Sequence, residues 1–191
     1  PPAVEVERLM NDLQQYVASP SDGLPPLVRC FVVHYQFEAI HPFRDGNGRV
    51  GRALLALMIY RALEHAMPCL YMSAFFEEYR DEYVERLFKV RTAGEWSEWI
   101  EFCLIGVISQ ANDSIRRCKS FIDLRAQLHE RVDSPTPRTH RIIESLFKSP
   151  VTTITSTAEA FGVTYKTAQH DLELLMKCGI LDQIPGERPR S

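Results

Sequence analysis

The chain has 191 residues, 45% hydrophobic and 25% charged, enough for one ordinary core plus a small second one and typical of soluble globular chains. A net charge of −3 and a pI near 6.1 exclude any global electrostatic pull toward nucleic acid or anionic membrane, although a local basic site stays open. Five cysteines, at 30, 69, 103, 118 and 178, form no C-x-x-C, so the expectation is reduced packing cysteines in a cytoplasmic protein rather than a disulfide framework or zinc site.

The opening PPAVEVERLM is acidic and amphipathic, unlike a signal peptide, and its lack of a Met predicts that a true N-terminus lies upstream. Val6, Leu9, Met10, Leu13 and Val17 recur at helical spacing. A break follows at Ser19–Gly23, and Pro25 and Pro26 suit the start of a second helix over Leu27–Ile40. Pro42–Gly48 reads as a loop. The next helix, Arg49–His65, is apolar over most of its circumference, which predicts the buried central helix. One helix is expected over Ala74–Val90, with Phe75, Phe76, Tyr79 and Tyr83 mostly in the core and Glu77, Glu78, Asp81, Glu82 and Glu85 on a solvated face. After Gly94, a long amphipathic helix runs from Trp96 to about Arg131 with a bend. Its longest apolar stretch, Trp99–Ile108, contains Glu101 and is too short to span a bilayer.

Ser134-Pro135-Thr136-Pro137 is the clearest linker. Beyond it come helical segments at Arg138–Phe147, Ser156–Phe161 and Thr164–Cys178, with capping-box spacing at Ser156-Thr157-Ala158-Glu159 and stops at Gly162 and Gly179. Ile180–Ile184 reads as a strand, completing the order of a winged helix-turn-helix. The fold expectation is therefore mainly α, with residues 1–132 as one domain, 133–137 as linker and 138–191 as the small second domain.

The chemistry concentrates in His41-Pro42-Phe43-Arg44-Asp45-Gly46-Asn47-Gly48-Arg49-Val50-Gly51-Arg52. His41, at a helix end, is the right group for general base work near neutral pH. Gly46 and Gly48 let the backbone turn sharply, so that amides beside Asn47 can form an anion cup at a helix N-terminus. Arg49 and Arg52 supply two guanidinium forks suited to a polyphosphate. Asp45 offers a hard oxygen for Mg²⁺, and Phe43 is expected to bury itself and anchor the loop. Taken singly, each feature has an ordinary reading: a packed histidine, a turn, a surface ion pair. Their coincidence in one short run describes phosphoryl or nucleotidyl transfer to a nucleophile that His41 deprotonates.

This run resembles the full signature of the Fic family, His-x-Phe-x-Asp/Glu-Gly-Asn-Gly-Arg-x-x-Arg. Phe37-Glu38-Ala39-Ile40, Pro68-Cys69-Leu70-Tyr71 and Tyr79-Arg80-Asp81-Glu82-Tyr83 are also similar to the family, so the resemblance covers about residues 1–132. It implies a Fic-type helical core that moves AMP from ATP onto a protein hydroxyl. His41 would be the base, Asp45 the Mg²⁺ ligand, Gly46, Asn47 and Gly48 the phosphate cradle, and Arg49 and Arg52 the contacts to the phosphate chain. The family's adjacent tyrosines near the adenine correspond here to Tyr83-Val84, so Tyr83 alone carries over, with Arg91 as a polar neighbour of the nucleotide. The family's β-hairpin flap and inhibitory Ser/Thr-x-x-x-Glu-Gly/Asn helix have no match; the nearest string, Thr155–Ala160, ends in Ala.

His34 reads as a packed helix residue and Glu38 as a group that orients backbone near the loop. In the C-terminal module, Thr164, Tyr165, Lys166, Thr167, Gln169 and His170 would form a recognition helix. Residues 133–191 nevertheless carry seven Lys/Arg against seven Asp/Glu, so DNA binding and protein docking stand level. The expected partners are a hydroxyl-bearing protein target, the chain itself as acceptor, DNA or a protein at the C-terminal module, and a second copy in a homodimer; no membrane is expected. Two alternatives accompany the main reading. One is AMP removal or transfer of UMP, phosphate or phosphocholine by the same core. The other is a DNA-binding regulator whose core only senses nucleotide.

Overall fold

The computed structural model describes residues 1–19, 23–64, 70–132 and 135–184. These form nine helices and no strand: α1 Ala3–Ala18, α2 Pro26–Ile40, α3 Asn47–Ala62, α4 Met72–Glu78, α5 Arg80–Ala93, α6 Trp96–Glu130, α7 Pro137–Leu146, α8 Ile154–Phe161 and α9 Tyr165–Lys177. The mainly α expectation is met. Two compact units result, Pro1–Arg116 and Arg117–Ser191. The division falls inside α6, upstream of the linker expected at 133–137, because Leu128 and Val132 pack with the C-terminal core. Residues 133 and 134 of that linker lie outside the described residues, as do His65, Pro68 and Cys69.

In the N-terminal unit the buried central helix is α2, not α3. Pro26 at its first turn presets the helical φ. Cys30, Phe31 and Tyr35 then pack into a cluster with Leu55, Phe75, Phe76, Tyr83, Trp99 and Phe102. Val33, Phe37 and Ile40 pack into a second cluster with Leu13 of α1. An element apolar on two sides must be enclosed on two sides. In α3 only Asn47, Gly51, Leu55 and Ile59 are buried, one stripe at helical spacing, while Val50 and Leu57 face outward. The Trp99 indole N–H donates to the Phe31 carbonyl at 3.2 Å, satisfying a polar atom within the larger cluster.

The helix expected over Ala74–Val90 is two helices. Tyr79, at φ −109° and ψ 42°, leaves helical geometry and separates α4 from α5. Phe75, Phe76 and Tyr83 are buried, whereas Tyr79 is exposed. On the acidic face Glu82 and Glu85 pair with Arg86 and Lys89. Cys30 and Cys103 are packing residues, but Cys118 is exposed and Cys178 only half-buried. No described helix is long and apolar enough to cross a membrane.

The C-terminal unit gathers α7, α8 and α9 around Val132, Ile142, Ile143, Leu172 and Leu175. Thr136 and Thr139 form a capping box at α7. At α8 the box is Thr153 with Ser156, three residues ahead of the position expected from sequence, because Ile154 already lies in the helix. Gly162, in the left-handed region, ends α8. The buried Asp171 of α9 is held by Arg138 of α7, whose Nη2 donates to Oδ1 at 3.1 Å. The strand expected at Ile180–Ile184 does not form. The amides of Ile180 and Leu181 turn back onto the Leu175 carbonyl, and both side chains pack on the C-terminal core.

Candidate active site

The loop between α2 and α3 is built from both of its ends. His41 caps α2 in the left-handed region, at φ 52° and ψ 59°, and its amide donates to the Phe37 carbonyl at 3.0 Å. That geometry turns the chain out of the helix and leaves the imidazole exposed. Asn47 then closes the loop. Its Nδ2 donates to the Phe43 carbonyl at 2.6 Å, and its Oδ1 accepts the Phe43 amide at 2.8 Å. Asn47 is 3% exposed, so the clamp is shielded from water. Phe43 anchors the loop through this backbone pair and not through its ring, which is 48% exposed, correcting the expectation that it buries itself.

Gly46, at φ 84°, is the N-cap of α3 and offers no side chain to the first turn. The amides that begin a helix have no carbonyl partner within it, and here no side chain caps them, so they remain available to an anion. Arg49 and Arg52 bracket that end. Arg49 Nη2 lies 3.3 Å from Asp45 Oδ2, with both side chains largely exposed. Arg52 folds back over Gly48, its Nη1 3.0 Å from where a Cβ on Gly48 would stand. A residue with a side chain at 48 would therefore press on the guanidinium.

Behind the first turn of α3 lies a buried polar relay. The His34 Nδ1 is 3.2 Å from the Gly51 carbonyl, and its Nε2 is 3.0 Å from the Tyr83 hydroxyl. A carbonyl only accepts, so Nδ1 carries the proton and Nε2 accepts from Tyr83. His34 is fully buried, and desolvation lowers its pKa to about 4 despite the Gly51 hydrogen bond, so it is neutral near pH 7. Glu38 packs on the same turn. A Cβ on Gly51 would run into its Oε1 and lie 3.0 Å from Phe37 Cδ1. Burial pushes the Glu38 carboxyl above the usual carboxylate range, opposed by the nearby charges of His41 and Arg52.

His41, Asp45, Gly46, Asn47, Gly48, Arg49 and Arg52 thus share one loop and the helix turn that follows it. Tyr83 does not stand open beside them: it is in the core, with its hydroxyl on His34. Arg91 is exposed in the last turn of α5; burial raises the Tyr35 hydroxyl, and the Arg91 charge partly opposes that rise. The tight contact of Gly51 with Glu38 was missed by the sequence reading. A small residue one turn into a helix beside an apolar one is the signal that could have found it. Among the described residues no group of three or more His, Cys, Asp or Glu is placed to hold a metal. A lone open carboxylate beside an anion cup nevertheless fits Mg²⁺, which takes one or two carboxylates and keeps water and phosphate as its other ligands.

Residues 1–59 match the model of the Fic/DOC family. The chain is 36% identical over 63 residues to protein adenylyltransferase fic-1 of Caenorhabditis elegans, a stretch covering 31% of this chain and 12% of that protein. It is 39% identical over 64 residues to protein adenylyltransferase Fic of Nematostella vectensis, covering 32% of this chain and 15% of that one. The matched stretches are therefore a small part of those relatives. A crystal structure of a Fic family protein from Desulfovibrio desulfuricans G20 superposes on 93% of this chain and 50% of its own, with a TM-score of 0.54 and 23% identity, which establishes a shared fold. The family match spans the whole loop from His41 to Arg52.

Proposed function

We propose that this chain is the catalytic part of a protein adenylyltransferase that moves AMP from Mg-ATP to a hydroxyl of a protein target. The observation that carries the reading is the clamped loop. It offers an exposed imidazole at one end, an uncapped helix N-terminus at the other, and two arginines beside that terminus. His41 accepts the proton of the target hydroxyl as its oxygen attacks the α-phosphorus. The α–β anhydride bond breaks, AMP stays on the target and pyrophosphate leaves. The amides at Gly46–Gly48 cradle the phosphates, and Arg49 and Arg52 balance the charge gathering on the leaving group. Asp45 would hold Mg²⁺, which supplies further charge neutralisation on the phosphates. The names of the relatives support AMP as the transferred group.

Incubation with α-labelled ATP, Mg²⁺ and a cell lysate should label at least one protein band. His41→Ala should reduce the label by about 10²–10⁴-fold, the usual worth of a general base. Full labelling by that variant would remove His41 from the chemistry.

The C-terminal unit reads as a helix-turn-helix, with α8, the Gly162 turn and α9 in sequence and Thr164, Tyr165, Lys166 and His170 exposed at the start of α9. Salt-dependent binding to duplex DNA that weakens in Lys166→Ala would support a nucleic-acid role. Unchanged binding in that variant would favour protein docking.

A further inference from the structure

Glu38 stands one helical turn before His41, on the last turn of α2. Its Oε1 is buried and has no hydrogen-bond partner, the one such side-chain atom among the described residues. A buried carboxylate oxygen left unpaired is unfavourable, and a purely structural residue at this place would be apolar or fully hydrogen-bonded. Space is nevertheless kept for it, since Gly51 on the facing helix lacks the Cβ that would strike Oε1. Charged and titratable groups surround it on three helices: His41 at the end of α2, Arg52 on α3, and Tyr83 on α5 with His34 behind it. Burial pushes this carboxyl up, and the charges of His41 and Arg52 are what pull it back toward the ionised form.

We propose that Glu38 is a positioning residue for the transfer reaction, a half-buried carboxylate beneath the loop that, once ionised, stabilises the imidazolium His41 becomes when it takes the hydroxyl proton. The idea rests on the adenylyltransferase reading above. It acts late in the step, when His41 gains its charge, so its loss falls mainly on kcat. No atom of Glu38 enters a bond that forms or breaks.

The test compares the unaltered chain with Glu38→Gln, which keeps the shape and removes the charge, and with Glu38→Met, which also removes the unpaired polar atoms. Labelling kinetics, thermal melting, and the pH midpoint for diethyl pyrocarbonate modification of His41, read by mass spectrometry of its peptide, are measured for all three. The expected outcome is a kcat at least 10-fold lower in both variants, with a smaller change in KM for ATP. The His41 modification midpoint should move to lower pH, and the Met variant should melt no lower than the parent. Unchanged kcat and midpoint in the folded Gln or Met variant would overturn the proposal. So would a Met variant that melts well below the parent with its midpoint unmoved, the outcome of a packing role alone. The modification midpoint needs no turnover. A parent chain that labels nothing but shows the midpoint shift would therefore sink the adenylyltransferase reading while leaving the Glu38–His41 coupling intact.

Discussion

His41 occupies a backbone conformation that disfavours it. The left-handed region costs an L-residue with a Cβ roughly 1–2 kcal/mol, and helices that end there usually place Gly or Asn at the turn. Gly94, Gly162 and Gly179 at other helix ends follow the preference, while Glu64, just beyond α3, shares the left-handed region with His41. An imidazole kept against the local preference, exposed and beside the uncapped N-terminus of α3, is what the proposed proton acceptor requires. His41→Gly should accordingly stabilise the fold by about 1 kcal/mol, a few degrees in melting temperature, while its labelling activity disappears. Calorimetry and the labelled-ATP assay on the same sample measure both. A clear drop in melting temperature would mean that packing of the ring, and not its proton, keeps histidine at this position.

At the scale of elements, the site depends on how closely α3 approaches α2. Gly51 sets that distance, and its carbonyl is tied to His34, which is tied in turn to Tyr83 of α5. Gly51→Ala forces a methyl against the Glu38 carboxylate and the Phe37 ring, an overpacking that costs about 1–3 kcal/mol. Because Gly46–Gly48 begin the same helix, the displaced turn should also raise KM for ATP several-fold; a variant with parental KM would show that the proposed phosphate turn is insulated from the interface. Little of this was legible in the sequence. The twelve-residue run announced itself because it brings backbone-permissive, charged and titratable residues together in one stretch, with no tertiary information needed. Helix positions followed from periodicity and from Pro26, Gly94 and Gly162 as stops and starts. What failed was whatever depends on neighbours distant in sequence. Val50 and Leu57 made α3 look central, yet nothing in the chain pattern reveals that α2 is enclosed by two clusters. Phe43 looked like an anchor, yet Asn47 holds the loop through the backbone of the same residue. Tyr83 read both as core and as an adenine contact; it is buried, and its hydroxyl is on a histidine 49 positions away.

For the whole molecule, the division into two units gives each its own titration behaviour, and the optical probes are conveniently partitioned. Both tryptophans, Trp96 and Trp99, lie in the N-terminal unit, so fluorescence reports that unit's unfolding. In the C-terminal unit the Glu144 carboxyl is held below its ordinary range by Arg125 and then His129. Its folded pKa is depressed, so whatever stability it contributes is kept above the ordinary carboxylate range and lost only as pH falls through the lower folded value. In the N-terminal unit His34 is a base whose folded pKa is depressed to about 4 from an ordinary 6.5. Between those values the unfolded chain binds a proton that the folded chain refuses, so stability falls as pH drops from about 6.5 toward 4. The two pKa values translate into roughly 2 kcal/mol lost by pH 5 and on the order of 3 kcal/mol by pH 4. Urea melts followed by tryptophan fluorescence should therefore move to markedly lower midpoints between pH 7 and pH 5. His34→Gln would be less stable at pH 7, because the relay from Tyr83 to the Gly51 carbonyl is weakened, but its pH 7 and pH 5 midpoints should lie much closer together. If the variant kept the full pH difference, the proton would be binding elsewhere in the unfolded N-terminal unit, and the buried relay behind the phosphate turn would no longer explain the acid sensitivity of this fold.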